Sequence, residues 1–174
     1  MKIRSLVSEP RHLSNIWLNK ACKPITGRVL SIGSGNDRDG QGSFYKNYFP
    51  QASSYTTSEY PIQGDCNLCL DVQDMSSLTD DSYDCIFCSG VLEHVRNFYK
   101  ALDEITRVLS KDGVLLLGLP FNQAIHMPPH DYWRFTKHGI LYLLEERYAI
   151  IEIEEIGGAP NGHPATYWTK AVKL

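Results

Sequence analysis

The feature that most narrows the fold of this chain is a repeated change of hydrophobic period. Short β-like runs alternate with segments whose apolar residues recur every third or fourth position. "RVLSI" (28–32) reads as a buried strand that stops at Gly33. "SSYTTSE" (53–59), "CNLCL" (66–70), "YDCIFC" (83–88) and "VLLLGL" (114–119) read as further strands. Between the first two, "GSFYKNYF" (42–49) reads as a short helix ended by Pro50. Asn97 to Ser110 has Phe98, Leu102, Ile105 and Leu109 on one helical face, with Asn97 as its N-cap and "SKDG" as the turn that follows. Thr136 is placed to cap a helix running through Glu146. "YAIIEIEEI" (148–156) alternates apolar with acidic residues, as a strand solvated on one face does, and "TYWTKAVKL" (166–174) is its hairpin partner across "GGAPNGHP". This alternation predicts an α/β fold: an open, mostly parallel sheet, helices on both faces, and an antiparallel hairpin at the C-terminal end. Ligands in such sheets bind beyond the carboxyl ends of the strands.

Composition limits the partners. A chain of 174 residues fits one domain with a sizeable core. A net charge of −3 gives no electrostatic case for nucleic acid or an anionic membrane. The longest apolar-rich run, "VLLLGLPF", is too short to span a bilayer, and "MKIRSLVSEPRHL" lacks the core of a signal peptide. A cytoplasmic protein with five reduced cysteines is expected.

"IGSGNDRDG" follows the first strand directly. Gly33 and Gly35 stand where a dinucleotide fingerprint begins, but Arg38 replaces its third glycine, and the phosphate-gripping lysine loop is absent. A nicotinamide-dependent oxidoreductase is therefore disfavoured; neither a substrate domain nor a tyrosine–lysine pair is evident. The alternative at this loop is a plain tight turn. The second strand ends in Glu59, whose carboxylate can accept two hydrogen bonds from ribose hydroxyls. The third ends in Asp71-Val72, a side-chain acceptor and a backbone donor suited to an adenine edge. Together these tips suit an adenosine with no pyrophosphate to grip.

At this point residues 28–156 resemble the class I S-adenosylmethionine-dependent methyltransferases. "VLSIGSG" looks like the family's first motif, "SEY" its ribose-binding acidic motif and "DVQDM" its adenine-contacting motif. "DSYDCIFCSGVLEHV" and "ALDEITRVLSKDGVLLLGLP" are similar to the fourth-strand motif and the helix–strand pair that follow in small-molecule members. "HDYWRFT" is similar to a loop in bacterial members, some of them encoded among glycan-modifying enzymes. The resemblance implies a Rossmann-like sheet of order 3-2-1-4-5-7-6 and S-adenosyl-L-methionine as cofactor. It implies cofactor contacts at Gly33, Ser34, Gly35, Asn36, Glu59, Tyr60, Asp71, Val72, Ser89 and Gly90, the last two near the transferred methyl. One departure stands out: "NDRDGQGS" is full of small polar residues, and a loop that is mobile without ligand is expected there. Residues 1–27 are expected to form a helical cover, with a helix at 11–21 over the pocket and Trp17 in the core. Residues 28–119 would form the cofactor-binding core, and 120–174 the acceptor-side loop, helix and hairpin of the same single domain.

Two metal readings are weighed and set aside. Cys66, Cys69, Cys85 and Cys88 have the spacing of a four-cysteine zinc site. Residues three apart on a strand point to opposite faces, and the implied strand order separates the pairs by about 14 Å. A site on His126, His130 and Asp131 is opposed by the intervening prolines, which forbid helical ligand spacing. No metal is expected.

The long loop "PFNQAIHMPPHDYWRFT" (120–136) sits where an acceptor would enter. His130 and Asp131 are candidate general bases there, and His94, beyond the fourth strand, is a third catalytic candidate. The plain alternative for Glu93 and His94 is that they close the turn before Asn97; for Tyr132, Trp133 and Phe135 it is anchoring of the loop. The expected activity is methyl transfer to a small-molecule or glycan acceptor at oxygen, because no amino-methylating Asn-Pro-Pro-aromatic motif follows the fourth strand. A non-catalytic adenosine-binding protein of the same fold is the alternative.

Overall fold

A computed structural model describes residues 8–61, 66–158 and 162–174. Seven strands form one sheet: β1 (Thr26–Ile32), β2 (Gln51–Glu59), β3 (Leu68–Cys69), β4 (Tyr83–Ser89), β5 (Leu109–Pro120), β6 (Tyr148–Gly158) and β7 (Pro164–Lys173). Their order is β3-β2-β1-β4-β5-β7-β6. All neighbours are parallel except β5–β7 and β6–β7. This is the Rossmann-like arrangement with a C-terminal antiparallel hairpin that the alternation and the resemblance imply. The tip of the expected hairpin turn, 159–161, and residues 1–7 of the expected cover lie outside the described residues.

The central strands are buried on both faces, and their side chains alternate between two cores. Leu30, Ile32, Ile86, Cys88, Leu115 and Leu117 pack against helices α2 (Phe98–Val108) and α3 (Lys137–Leu144). Val29, Cys85, Phe87 and Leu116 face the other way, toward Trp17, Leu18 and Cys22 of helix α1 (Glu9–Cys22). Trp168 of β7 stacks on both Trp17 and Phe87, at centroid distances of 5.6 and 6.0 Å. Cys85 and Cys88 thus fall in cores on opposite sides of the sheet, and burial pushes both thiols well above their ordinary range. One ion cannot reach both.

The caps act as expected. Asn97 Oδ1 accepts from the Lys100 amide and Thr136 Oγ1 from the Gly139 amide. The element ends differ. Helix α2 stops at Val108, because Leu109 already pairs with Tyr83 in the sheet. Third-strand pairing is confined to two residues, and the segment after β1 forms only a single 3-10 turn, Tyr45–Tyr48, instead of a helix. Among the described residues no helix is long and apolar enough to cross a membrane.

The loop expected to be mobile is fastened by two buried aspartates. Asp37 accepts from the Tyr55 hydroxyl at 2.8 Å and the Lys46 amide at 3.1 Å. Asp39 accepts from the amides of Gln41 and Ser43 and from the Tyr48 hydroxyl. Side chains that read as solvent-seeking in the sequence are internal hydrogen-bond acceptors, which replace the missing helix as the support of this crossover.

Candidate active site

The carboxyl ends of β1, β2 and β4 meet at one edge of the sheet. Gly33 and Gly35 have φ of +64° and +52°, the left-handed region. A Cβ on Gly33 would lie 2.4 Å from Val91 Cγ2, so glycine is required there by fit as well as by conformation. Ser34 reaches across to β2, donating from both its amide and its hydroxyl to the Ser58 carbonyl. Glu59 Oε2 accepts from the Gly35 amide at 2.7 Å, and Oε1 from the Tyr60 amide at 3.1 Å. The glycine turn and the acidic tip are therefore in direct contact. Asn36 folds back on the Arg38 amide, and Tyr60 is exposed.

The third tip follows. The Leu70 amide donates to the Glu59 carbonyl; next to it Asp71 caps its own turn through the Gln73 amide, and Val72 is buried. Cys66 closes over the loop, its thiol donating to the Gly35 carbonyl at 3.4 Å. The second acidic tip and the glycine turn thus fit a ribose, whose hydroxyls suit Glu59, while Asp71 and Val72 lie one strand further out.

Beyond β4 and β5 a cavity of about 480 Å³ opens between the sheet and α1. Ser89, Gly90 and Gly118 form its floor, and Arg11 and Ser14 of α1 stand on one side. Ser14 is fixed by the Trp168 indole, which donates to its hydroxyl at 2.9 Å. The helix from Glu9 thus contributes to the cavity wall.

Glu93 and His126 complete the wall. Glu93 lies in a 3-10 turn, Leu92–His94, and is only 2% exposed; burial pushes its carboxyl above the usual carboxylate range. Its Oε2 has no hydrogen-bond partner among the described residues. His94 Nε2 lies 3.8 Å and His126 Nε2 3.9 Å from Glu93 Oε1.

The long loop after β5 is what buries this carboxylate. The amides of Tyr132 and Trp133 donate to the Glu93 carbonyl, and the Trp133 indole donates to the Val95 carbonyl at 2.8 Å. Asp131 receives both Nη atoms of Arg134, at 2.6 and 2.8 Å, and the His126 amide at 2.7 Å. The paired guanidinium holds its carboxyl far below the usual range. Asp131 is thus committed to shaping the loop. His130 is exposed and bonded to Tyr132, while its carbonyl accepts from His94 Nδ1.

Of the three catalytic candidates from the sequence, only His94 joins the buried cluster; His126 and Glu93 are its other members. Glu93 was legible only as a carboxylate within the apolar stretch "GVLEHV". Its neighbours Leu92 and Val95 are buried, which is the one local sign that it turns inward.

Residues 46–117 match a family described as a methyltransferase domain. A search of the curated proteins found no match. Among solved structures, an S-adenosylmethionine-dependent methyltransferase from Mesorhizobium loti superposes with a TM-score of 0.69 at 14% identity, covering 91% of this chain and 96% of that one. The 1,6-didemethyltoxoflavin N1-methyltransferase of Burkholderia thailandensis, solved with its substrate and S-adenosylhomocysteine, gives 0.68 at 16% identity, covering 96% and 79%. The [4+2]-cyclase SpnF gives 0.69 at 15% identity, covering 94% and 81%. These solved structures share the fold of this chain, and residues 46–117 carry the match to a methyltransferase domain. The cyclase among these neighbours shows that the fold leaves the acceptor chemistry open.

Proposed function

We propose that the protein methylates an oxygen of a small-molecule or glycan-type acceptor held in the cavity beyond β4 and β5. The observation that carries this reading is the adjacency of two differently built halves. The Gly35–Glu59 contact lies on the nucleoside side, and the buried Glu93 cluster lines the cavity beyond Ser89 and Gly90. S-adenosyl-L-methionine, when bound, supplies a methyl group already activated by its sulfonium. Glu59 would hold the ribose, the Gly33–Asn36 backbone the methionine portion, Asp71 and Val72 the adenine, and Ser89 and Gly90 the space beside the methyl. The remaining work is to place the acceptor oxygen in line and ease the loss of its proton.

On the acceptor side, Glu93, His94 and His126 are the groups suited to activating a hydroxyl. Asp131 acts through His126 as a positioning residue. The cavity volume suits a small molecule or one or two sugar units. The five cysteines of the chain suit a reducing, cytoplasmic setting.

The test is in two parts. S-adenosylhomocysteine should bind in a calorimetric titration, with NAD giving no heat. A screen of hydroxylated small molecules and sugar nucleotides should then release S-adenosylhomocysteine with at least one class. Binding of NAD without S-adenosylhomocysteine would overturn the cofactor assignment, and turnover confined to amines would overturn the oxygen assignment.

A further inference from the structure

In the cluster beside the cavity, one buried carboxylate oxygen lacks a hydrogen-bond partner among the described residues. His94 Nδ1 is 2.7 Å from the His130 carbonyl oxygen. A carbonyl can only accept, so this nitrogen carries a proton, and in the neutral imidazole His94 Nε2 presents a lone pair. His126 Nδ1 faces two acceptors, the Ala124 carbonyl at 3.2 Å and Asp131 Oδ2 at 3.5 Å. By the same reasoning His126 Nε2 is also bare. Both lone pairs face Glu93 Oε1, and no two of the three ligand atoms lie more than 4.8 Å apart. Glu93 Oε2 is buried and has no hydrogen-bond partner among the described residues. The two imidazoles and this carboxylate converge on one gap.

We propose that Glu93, His94 and His126 bind a first-row divalent transition-metal ion. Two imidazoles and one carboxylate form a ligand set that leaves coordination positions open and favours zinc, iron, manganese or cobalt over magnesium and calcium. Both imidazoles already have the supporting contacts that metal-bound histidines use: a backbone carbonyl behind His94, and a carbonyl and the Asp131 carboxylate behind His126. Ligand atoms in a tetrahedral site with bonds near 2.0–2.1 Å lie about 3.4 Å apart, so the two Glu93 edges close by roughly half an ångström. His126, on the loop and partly exposed, is the ligand with room to move inward. The open positions face the cavity, where an acceptor hydroxyl would complete the shell and lose its proton more easily. This last role rests on the proposed oxygen methylation; the ion site itself does not.

The prolines that forbid helical ligand spacing at His126, His130 and Asp131 do not separate Glu93 and His94 from His126 in space. The two histidines come from different segments, and the carboxylate is supplied by the turn after β4.

The experiment uses the full chain, freed of any affinity-tag histidines and treated with a chelator. Equilibrium dialysis against Zn²⁺ in excess Mg²⁺, and titration with Co²⁺ followed by its visible ligand-field bands, read the site directly. One ion per chain is expected. His126→Ala and Glu93→Gln should each weaken binding roughly 100-fold or more, and Asp131→Asn about tenfold. His130→Ala and the Cys66→Ser/Cys69→Ser pair should leave it unchanged. Because His126 is partly exposed, its variant reports on the site without loss of the core. Absence of saturable binding, or binding indifferent to His126→Ala and Glu93→Gln, would overturn the assignment. Titration of the same samples with S-adenosylhomocysteine separates the two readings: binding of that ligand without the ion sinks the metal site alone, and the converse sinks the cofactor assignment alone.

Discussion

The two halves of the site are built by opposite means. On the nucleoside side, Gly33, Gly35 and Glu59 are placed by the strands that carry them, and most contacts there are between backbone and one side chain. On the acceptor side, Glu93, His94 and His126 are brought together by side chains and a loop that spans residues 120–136. The first half needs only correct strand ends. The second needs the Asp131–Arg134 pair, the Trp133 anchor and the His130 carbonyl all in place. A shared donor demands a fixed half, and a specific acceptor is served by an adaptable one.

The sharpest way to break this contrast is Gly33→Val. The left-handed backbone costs a β-branched residue about 1–2 kcal/mol, and the collision with Val91 about 1–3 kcal/mol more. A loss of about 2–5 kcal/mol is expected in chemical denaturation. Because Val91 leads into the Glu93 turn, both halves should suffer. A variant as stable as the native chain would mean that the loop is not held by fit.

Glu59→Ala tests the nucleoside half by itself. Losing two hydrogen bonds to a ribose should weaken S-adenosylhomocysteine binding by about 1–3 kcal/mol in calorimetry. If affinity is unchanged, Glu59 serves only to brace the turn.

How much of each half was legible follows from the same contrast. The strands and the glycine–acid pairing were readable because strand ends are local features: an apolar run, then Gly33, or then Glu59; the strand order came only with the family resemblance. The inward turn of Asp37 and Asp39 was not legible in the polar loop 36–43, because their partners Tyr55 and Tyr48 lie outside it. Asp131 looked like a base because a carboxylate beside a histidine has the right chemistry; Arg134, three residues on, claims it through a loop geometry that no periodicity encodes. Glu93 became visible only when the folded loop covered it.

Arg134→Ala probes the acceptor half without touching the cavity floor. It removes both guanidinium hydrogen bonds from Asp131 and its contact to the Ala124 carbonyl. The amides of His126, Tyr132 and Trp133 should then exchange with deuterium about tenfold faster, as the loop opens locally. The amides of Ser34 and Gly35 should keep their protection. Equal loss on both sides would show that the halves are one cooperative unit.

The smallest effect belongs to the opposite end of the sheet, and it calibrates the others. Asp84, at the start of β4, accepts from the Arg28 amide at 2.7 Å and from its guanidinium at 3.1 Å. Those bonds hold its carboxyl below the usual carboxylate range. Both side chains are more than a third exposed, so solvent screens the pair, and Asp84→Asn should cost at most about 1 kcal/mol. The sign with pH is fixed: a carboxyl depressed by folding stabilises above its unfolded value and ceases to do so as pH falls through the folded one. Native and Asp84→Asn chains should therefore differ in melting temperature near neutrality and converge in acid, with cofactor affinity equal throughout. A difference that persists unchanged in acid would assign the Asp84 contribution to packing against Gly27 and not to its charge.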